Sequence, residues 1–187
     1  MSNTTDEQRA YHLRKMRTRF RRLDVNKDGF ISRDDFEYMA NKLLEYSKMG
    51  EEHAESTRKA FTFVADNLGL KSGVKTPVEE AAKEASRQMM SMAPAKQLAV
   101  LHSGHNALFD ALDLDKDGYI SQEEFKIYFQ VIGPDISEAE MQHSFNTIDE
   151  NKNGQVSREE FLAAAFDFMF GVEETEISEV FFGHLLP

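Results

Sequence analysis

The sequence predicts an all-α fold in which four helix–loop–helix units form one compact body. Three 12-residue loops, which begin at Asp24, Asp113 and Asp149, share one spacing of oxygen-bearing side chains and a glycine. Large apolar residues precede and follow each loop at helical spacing, which predicts an amphipathic helix on either side. The gap between the first two loops leaves room for a fourth unit. We therefore expect eight helices and a C-terminal tail.

The loop DLDKDGYISQEE has the spacing that a calcium ion requires. Calcium takes six to eight oxygen ligands at about 2.3–2.6 Å from a flexible loop. Carboxylates occupy positions 1, 3 and 5, a glycine allows the sharp turn at position 6, and position 7 offers a backbone carbonyl. A glutamate at position 12 can reach back and bind the ion with both oxygens, as in the EF-hand pattern. The candidate ligands of this loop are Asp113, Asp115, Asp117, Tyr119 and Glu124.

The same pattern occurs in two further loops. DENKNGQVSREE is a full match, and its candidate ligands are Asp149, Asn151, Asn153, Gln155 and Glu160. DVNKDGFISRDD departs only at position 12, and its candidate ligands are Asp24, Asn26, Asp28, Phe30 and Asp35. Asp35 is one methylene shorter than glutamate, so it binds an ion with one oxygen more easily than with two. We expect this loop to accept Mg²⁺ more readily than the others, because Mg²⁺ prefers six-coordination.

A fourth unit lies between the first two loops but lacks metal ligands. In GLKSGVKTPVEE, Glu80 stands at position 12. Positions 1, 3 and 5 are Gly69, Lys71 and Gly73, which offer no side-chain oxygen. Residues 76–79 have the pattern of a helix start, with a capping box and proline at the first helical position. The sequence therefore predicts three calcium sites and one unit that binds no ion.

Composition restricts the classes of function. The 187 residues include 33 acidic and 22 basic side chains, and the formal net charge of −11 argues against nucleic acid as a partner. The absence of cysteine argues against a disulfide framework and a cysteine-based metal site. The polar, basic N-terminus has no apolar signal segment, and the longest apolar stretch, FLAAAFDFMFGV, is too short for a membrane span. We expect a cytoplasmic protein.

The helix faces beside the loops are unusually rich in bulky apolar residues. Fifteen phenylalanines and nine methionines indicate either a large core or a core that holds a ligand. His105 stands on such a face, where it makes either a polar contact with a ligand or the contacts of an ordinary core histidine. Arg19 lies beside the apolar stripe, so it points inward or reaches water. The candidate ligand-binding residues are Met16, Arg19, Phe20, Arg22, Phe36, His105, Phe109, Tyr128, Phe145, Phe168 and Phe181.

The order of competent, degenerate, competent and competent loops resembles the sarcoplasmic calcium-binding protein group. Within that group, the aspartate that ends the first loop and the segments RAYHLRKMRTRFRRLD and GVEETEISEVFFGHLLP are similar to those of the luciferin-binding proteins. These proteins hold coelenterazine and release it when calcium binds. The light-emitting photoproteins are similar too, but they use tryptophan in the cavity and this chain has none. We therefore expect no light emission by this chain itself.

The resemblance implies a compact fold in which all eight helices surround one internal apolar cavity. The expected division is an N-terminal EF-hand pair at residues 1–93 and a C-terminal pair with a lid at residues 94–187, packed as one globule. The lid is expected because apolar residues follow helical spacing in the tail, outside any loop. These residues are Ile177, Val180, Phe181 and Leu185.

The expected function is that of a calcium-triggered carrier for a small aromatic ligand of the coelenterazine type. A luciferase is the expected recipient of the ligand, and the protein is expected to be a monomer. Phe125 and Phe161, which follow the position-12 glutamates, are expected to face the cavity and move when calcium binds. A calcium/magnesium buffer with a filled core stays open as an alternative. So does a calmodulin-like sensor, although residues 81–104 have the pattern of two helices that meet near Pro94 rather than of a solvated linker.

An enzyme is not expected. The chain has no cysteine nucleophile and no phosphate-binding glycine loop, and the sequence shows no Ser-His-Asp arrangement.

Overall fold

The computed structural model describes residues 4–47 and 51–187, which form eight long helices and a short ninth helix in the tail. The helices are α1 (Asp6–Leu23), α2 (Arg33–Ser47), α3 (Glu51–Asn67), α4 (Val78–Met90), α5 (Pro94–Leu112), α6 (Gln122–Ile132), α7 (Glu138–Ile148), α8 (Arg158–Phe170) and α9 (Glu176–Val180). The strands are β1 (Phe30–Ile31), β2 (Thr76–Pro77), β3 (Tyr119–Ser121) and β4 (Gln155–Ser157). The predicted all-α fold of eight helices and a tail is confirmed.

Short antiparallel bridges join the loops in two pairs. Ile120 in β3 pairs with Val156 in β4, and Ile31 in β1 pairs with Thr76 in β2. The degenerate unit therefore keeps its structural role, because its strand satisfies backbone groups of the first loop. This pairing also explains why the predicted capping box at residues 76–79 is wrong: α4 begins after Pro77, which makes no side-chain cap in this described segment, and Thr76 belongs to the strand.

In the loops that begin at Asp113 and Asp149, a serine at position 9 caps the helix that follows. The Ser121 hydroxyl accepts a hydrogen bond from the Glu124 N–H, and the Glu124 side chain accepts one from the Ser121 N–H. Ser157 and Glu160 make the same reciprocal contact at the start of α8. Each contact satisfies two donors at a helix start, and it also turns the position-12 carboxylate back toward its loop.

The halves of the chain share one hydrophobic core. Helix α1 packs against α4 and α8, α2 packs against α6, and α3 and α8 both pack against α5. Phenylalanine rings meet across these interfaces; Phe109 and Phe161, for example, lie edge to face with ring centroids 5.7 Å apart. Among the described residues, no helix combines the length and hydropathy that a bilayer crossing needs.

Buried polar side chains of α1 fasten the two halves to each other. The His12 imidazole lies 2.9 Å from Ser86 Oγ on α4 and 2.8 Å from a main-chain carbonyl of α8. Lys15 Nζ donates to the carbonyls of Asp167 (3.2 Å) and Gly171 (2.8 Å), which caps the C-terminal end of α8 with a positive charge. Burial lowers the pKa of Lys15 to about 8 and that of His12 to about 4, so His12 is neutral at neutral pH.

The tail after α8 packs across α7 and α8 and then returns to α1. The Ser144 hydroxyl on α7 donates to the Val180 carbonyl (2.8 Å), and the Phe181 ring lies 5.8 Å from the ring of Phe161. The chain end is fixed where the Leu186 N–H donates to Thr18 Oγ1 (2.9 Å). The tail therefore contributes to the core itself.

Candidate functional site

Three carboxylates converge in the loop at residues 113–124. Ligand oxygens of Asp113, Asp115 and Asp117 all lie within 4.8 Å of one another. Asp113 Oδ1 is buried and, among the residues that the structure describes, has no hydrogen-bond partner. Burial is the largest cause of the raised pKa of Asp113. Clustered carboxylates with an unpaired buried oxygen fit a hard divalent cation, which would supply the missing positive charge.

Glu124 holds its carboxylate across this loop from the first turn of α6. Its Oε1 accepts from the Leu114 N–H (2.7 Å), and its Oε2 accepts from the Ser121 N–H and Oγ (both 2.8 Å). Tyr119 stands at position 7, where its N–H donates to Asp117 Oδ1 (2.9 Å). The position-12 side chain thus reaches back over ten residues, as the spacing predicts.

The loop at residues 149–160 has the same geometry with amide oxygens in place of two carboxylates. The N–H of Gly154 donates to Asp149 Oδ2 (2.9 Å), and that of Gln155 donates to Asn153 Oδ1 (2.9 Å). The Asn151 amide donates to Glu160 Oε1 (2.7 Å), so positions 3 and 12 already meet. Hydrogen bonds within the loop therefore link all five candidate ligands.

The first loop differs at its last ligand. Asp35 Oδ2 accepts from the Ser32 N–H (2.9 Å), while Asp35 Oδ1 is buried without a hydrogen-bond partner in the described chain. Burial, the largest cause, raises the pKa of Asp35. One oxygen is thus engaged at the helix start and one is free to face an ion.

The other candidate ligands of the first loop line the turn before Asp35. The N–H of Gly29 donates to Asp24 Oδ2 (3.0 Å), and that of Phe30 donates to Asp28 Oδ1 (3.0 Å). Asn26 Oδ1 accepts from the Asp28 N–H (2.9 Å). Gly29 has a φ of 84°, which glycine adopts without strain, and this conformation permits the sharp turn.

A cavity of about 480 Å³ lies under the first loop and extends along α3, α4 and α5. Its volume falls in the range of small-molecule sites, about 300–1,000 Å³, and its lining is predominantly apolar. Five of the eleven residues predicted to bind a ligand line it: Arg19, Phe20, Phe36, His105 and Tyr128.

The other six candidates, all within the described chain, do not line the cavity: Met16, Arg22, Phe109, Phe145, Phe168 and Phe181. Met16 is fully buried in the core, and the phenylalanines pack against other rings of the C-terminal half. Arg22 lines a separate groove and pairs with Asp135 (2.8 Å). Helical spacing identifies inward-facing positions, but it does not separate those beside a cavity from those in solid core.

The deep end of the cavity carries polar groups that lack partners. Within the described part of the chain, Arg19 Nη1 and His105 Nδ1 are both buried and without a hydrogen bond. Burial, reinforced by the Arg19 charge, lowers the pKa of His105 to about 3, so the imidazole is neutral. Burial also raises the pKa of Tyr128, which keeps its hydroxyl protonated. A cation, a neutral imidazole and a phenol therefore stand at the end of an apolar space.

The mouth of the cavity lies between α4 and α5. The exposed residues Glu84, Gln88 and Lys96 line it there. The tail contributes Phe182 to the opposite wall, and α8 contributes Met169. Sequence reasoning missed both residues, because Phe182 reaches the cavity through the packing of the tail and Met169 through the packing of α8 on α5.

Two family models match the loops. The EF-hand domain pair matches residues 105–166, and the EF hand matches residues 16–39. The luciferin-binding protein of Renilla reniformis is 50% identical over 183 residues, which cover 97% of this chain and 98% of that protein. The chain belongs to the EF-hand family that contains the luciferin-binding protein.

A solved structure and a second relative agree with membership in this family. The coelenterazine-binding protein from Renilla muelleri, in its calcium-loaded apo form, superposes with a TM-score of 0.90 at 46% identity. The match covers 97% of this chain and all of that chain. The sarcoplasmic calcium-binding protein of Hediste diversicolor is 36% identical over 124 residues, 66% of this chain and 70% of that protein. The resemblance inferred from the sequence is confirmed.

The position-12 residues of this family member connect to the cavity by routes that differ from the predicted ones. In the described chain, neither Phe125 nor Phe161 lines the cavity. Phe125 stacks on Phe129 with ring centroids 4.6 Å apart. The lining residue of α6 is instead Tyr128, one helical turn after Glu124. An aromatic residue directly after position 12 lines the cavity only at the first loop among the three described competent loops, where Phe36 follows Asp35.

A second route starts at the loop of residues 149–160 and runs through three phenylalanine rings. The ring centroids of Phe161 and Phe181 lie 5.8 Å apart, and those of Phe181 and Phe182 lie 5.2 Å apart. Phe182 lines the cavity. The glutamate next to Phe161 is Glu160, the last ligand position of that loop. Packed aromatic side chains therefore connect the first turn of α8 to the cavity wall.

Proposed function

We propose that this chain holds a coelenterazine-type luciferin in its cavity when calcium is absent and releases the ligand when calcium binds. The observation that carries the proposal is the pair of unpartnered polar atoms, Arg19 Nη1 and His105 Nδ1, at the end of an apolar cavity of about 480 Å³. An unpaired buried polar group costs free energy that a hydrogen-bonding ligand offsets. An aromatic imidazopyrazinone has rings for the apolar walls and a carbonyl oxygen for the Arg19 guanidinium.

Similarity to relatives supports the choice of ligand. One relative at 50% identity is a luciferin-binding protein, and one structural neighbour at 46% identity is a coelenterazine-binding protein. The match to a sarcoplasmic calcium-binding protein favours a calcium/magnesium buffer as the second candidate. A buffer has no need of unpartnered polar groups beside a cavity, so we prefer the carrier.

Three calcium sites are part of the proposal. The loops that begin at Asp24, Asp113 and Asp149 supply oxygen donors at matching positions, and the first loop also accepts Mg²⁺ through the shorter Asp35. Bound calcium supplies positive charge and a coordination shell that the position-12 carboxylates close. The degenerate loop offers Lys71 at position 3 and binds no ion.

The loops act on the cavity through the first turns of the exiting helices. Glu124 carries the start of α6 with it when it turns toward an ion, and Tyr128 moves as part of the same helix. Asp35 acts on Phe36 in the same way, and Glu160 acts on Phe182 through the intervening rings. A ligand that prefers the calcium-free packing must weaken calcium binding by the factor by which calcium weakens ligand binding.

The wider setting is also a proposal. The two EF-hand pairs, residues 1–93 and 94–187, work as one cytoplasmic monomer around the shared cavity. The chain catalyses nothing itself and passes the released ligand to a luciferase. The net charge of −11 argues against nucleic acid as a partner.

The ligand is tested by fluorescence titration of the calcium-free protein with coelenterazine. We expect saturable binding with one ligand per chain. We also expect Phe182→Ala, which removes a ring from the cavity wall, to weaken ligand binding. Phe63→Ala, which removes an exposed ring away from the cavity, should leave ligand binding unchanged. The absence of saturable binding would remove the carrier and leave the buffer.

A further inference from the structure

Two histidines and two glutamates meet at the surface where the tail crosses α7. His143 on α7 and His184 in the tail have ring centroids 6.4 Å apart, with 35° between the ring planes. His143 Nε2 lies 3.8 Å from Glu176 Oε1, and His184 Nε2 lies 3.9 Å from Glu140 Oε1. Both distances are too long for hydrogen bonds. The two imidazoles and two carboxylates, all in the described part of the chain, are therefore neighbours, but no three of them have ligand atoms within 4.8 Å of one another, as Asp113, Asp115 and Asp117 do.

The donor set differs from that of the calcium loops. Calcium takes oxygen ligands, whereas imidazole nitrogen together with carboxylate oxygen suits zinc and its neighbours among the transition metals. The four side chains come from three segments, α7, α9 and the tail, so an ion here would connect parts of the chain that are distant in sequence. None of the four belongs to a calcium loop.

Local structure orders two of these side chains. Glu140 Oε2 accepts from the Ser137 N–H (2.9 Å) and Oγ (2.6 Å), which fixes the carboxylate and leaves Oε1 toward His184. Gly183 has a φ of 76°, and this left-handed turn directs the next residue, His184, back over α7. Hydrogen bonding behind a ligand in this way orients it for an ion.

The segments themselves are held together beneath the cluster. Ser144, next to His143, donates its hydroxyl to the buried Val180 carbonyl (2.8 Å), and α7 packs against α9. The backbones that carry the four side chains are therefore fixed, whereas His143, His184 and Glu176 are exposed and free to turn at their side-chain torsions. Zinc bound to two imidazoles holds the nitrogens about 3.3 Å apart, so zinc binding here requires these exposed side chains to rotate toward one another.

We propose that His143, His184, Glu140 and Glu176 form a binding site for a divalent cation of the zinc class, which fastens the tail to α7. Glu140 and the two histidines supply three ligands, and Glu176 supplies a fourth or holds the His143 ring. Within the described chain, the site shares no residue with the cavity or with the calcium loops. Its occupation stabilises the tail, whose Phe182 lines the cavity.

The test is calorimetric titration of the calcium-saturated protein with zinc chloride, so that the oxygen loops are already filled. We expect one zinc ion per chain. His143→Ala and His184→Ala should each weaken zinc binding by at least about 10-fold, because each removes an imidazole ligand. The matched control is His102→Ala, at an exposed histidine on α5, which should leave zinc affinity unchanged.

Thermal unfolding gives a second measurement. Zinc should raise the unfolding midpoint of the calcium-saturated wild type and of His102→Ala, but not of the His143→Ala/His184→Ala double variant. Two results overturn the proposal: a wild type that binds no zinc under these conditions, and a double variant that binds zinc with the affinity of the wild type.

Discussion

Lys75, in the loop that has lost its metal ligands, forms an ion pair with Asp28, the position-5 residue of the first loop. The hydrogen bond between them lowers the pKa of Asp28 and raises that of Lys75. The degenerate unit thus places an ammonium group on a candidate calcium ligand of the paired loop. We infer that Lys75 competes with calcium at the proposed first site, while the same unit supplies the strand that pairs with β1.

Replacement of Lys75 should strengthen calcium binding at the first loop. Lys75→Gln frees Asp28 from an exposed ion pair, for which we expect a gain in calcium affinity of about 2–5-fold at low salt, smaller at high salt. Calorimetric calcium titration measures this. Lys71→Gln removes the same charge from an exposed residue of the same loop. An equal gain from both variants would mean that net charge, and not the contact with Asp28, sets the affinity.

Asp35 should determine the ion preference of the first loop. In Asp35→Glu the longer side chain can present both oxygens, so we expect the ratio of magnesium affinity to calcium affinity at that loop to fall. Asp34→Glu lengthens the exposed neighbouring carboxylate and should leave the ratio as it is. Competition titrations with the two ions give the ratio. An unchanged ratio in Asp35→Glu contradicts the role assigned to position 12.

Arg19 should lower the stability of the ligand-free protein and raise its affinity for the ligand. Arg19→Met keeps an apolar side chain of similar length, so we expect the ligand-free protein to gain about 1 kcal/mol or more in unfolding free energy. The same change should weaken coelenterazine binding about 10-fold, because a charge-assisted hydrogen bond is lost. Lys96→Met, at the exposed mouth, should change neither quantity much. Loss of stability together with loss of affinity would instead indicate a structural role for Arg19.

The loops could be predicted from the sequence because their geometry is local. Twelve consecutive residues fix which side chains face the ion, and Asp113, Asp115 and Asp117 converge as their spacing predicts. The cavity could be predicted only in part, because its wall is assembled from distant segments. Arg19 lines the cavity while Arg22, three positions later on the same helix, pairs with Asp135 in another groove.

The two lining residues that the sequence analysis missed also reach the cavity through contacts between distant segments. Phe182 reaches the cavity because the tail packs on α7 and α8, and Met169 does so because α8 packs on α5. Neither contact has a signal within a short window of sequence. The prediction of a capping box at residues 76–79 was wrong for a related reason, because Thr76 pairs with the strand at residues 30–31 instead.

Acid should destabilise the calcium-free protein through His12. Burial lowers its pKa from the ordinary histidine value of 6.5 to about 4 in the folded protein, so the unfolded chain binds the proton first as the pH falls. Stability is therefore lost between pH 6.5 and about 4, by up to about 2 kcal/mol at pH 5 from this residue. His105, whose pKa is lowered in the same direction, adds to the effect.

Urea unfolding at pH 7 and pH 5, with a chelator present, tests this effect. We expect His12→Gln to reduce the difference in unfolding free energy between the two pH values. His102→Gln, at an exposed histidine, should leave the difference as in the wild type. A difference that His12→Gln does not reduce would show that His12 is protonated in the folded state or does not titrate in this range.

Calcium-driven release is the central claim, and the position-12 glutamates provide its most specific test. Glu124→Gln with Glu160→Gln removes the two carboxylates that are proposed to complete calcium coordination, without changing side-chain size or the cavity lining. Glu123→Gln with Glu159→Gln makes the same chemical change at the exposed preceding residues and serves as the matched control.

The measurement is the affinity of each protein for coelenterazine by fluorescence, first in chelator and then in saturating calcium. The account predicts that calcium weakens ligand binding to the wild type and to the control by a factor between about 5 and 150, the usual range of coupling between sites. It predicts that the Glu124→Gln/Glu160→Gln protein binds the ligand normally in chelator and loses much less affinity than the wild type when calcium is added, because only the loop that ends at Asp35 can still act on the cavity. Tight binding to the wild type that is indifferent to calcium, or equal release from the double variant, would contradict it.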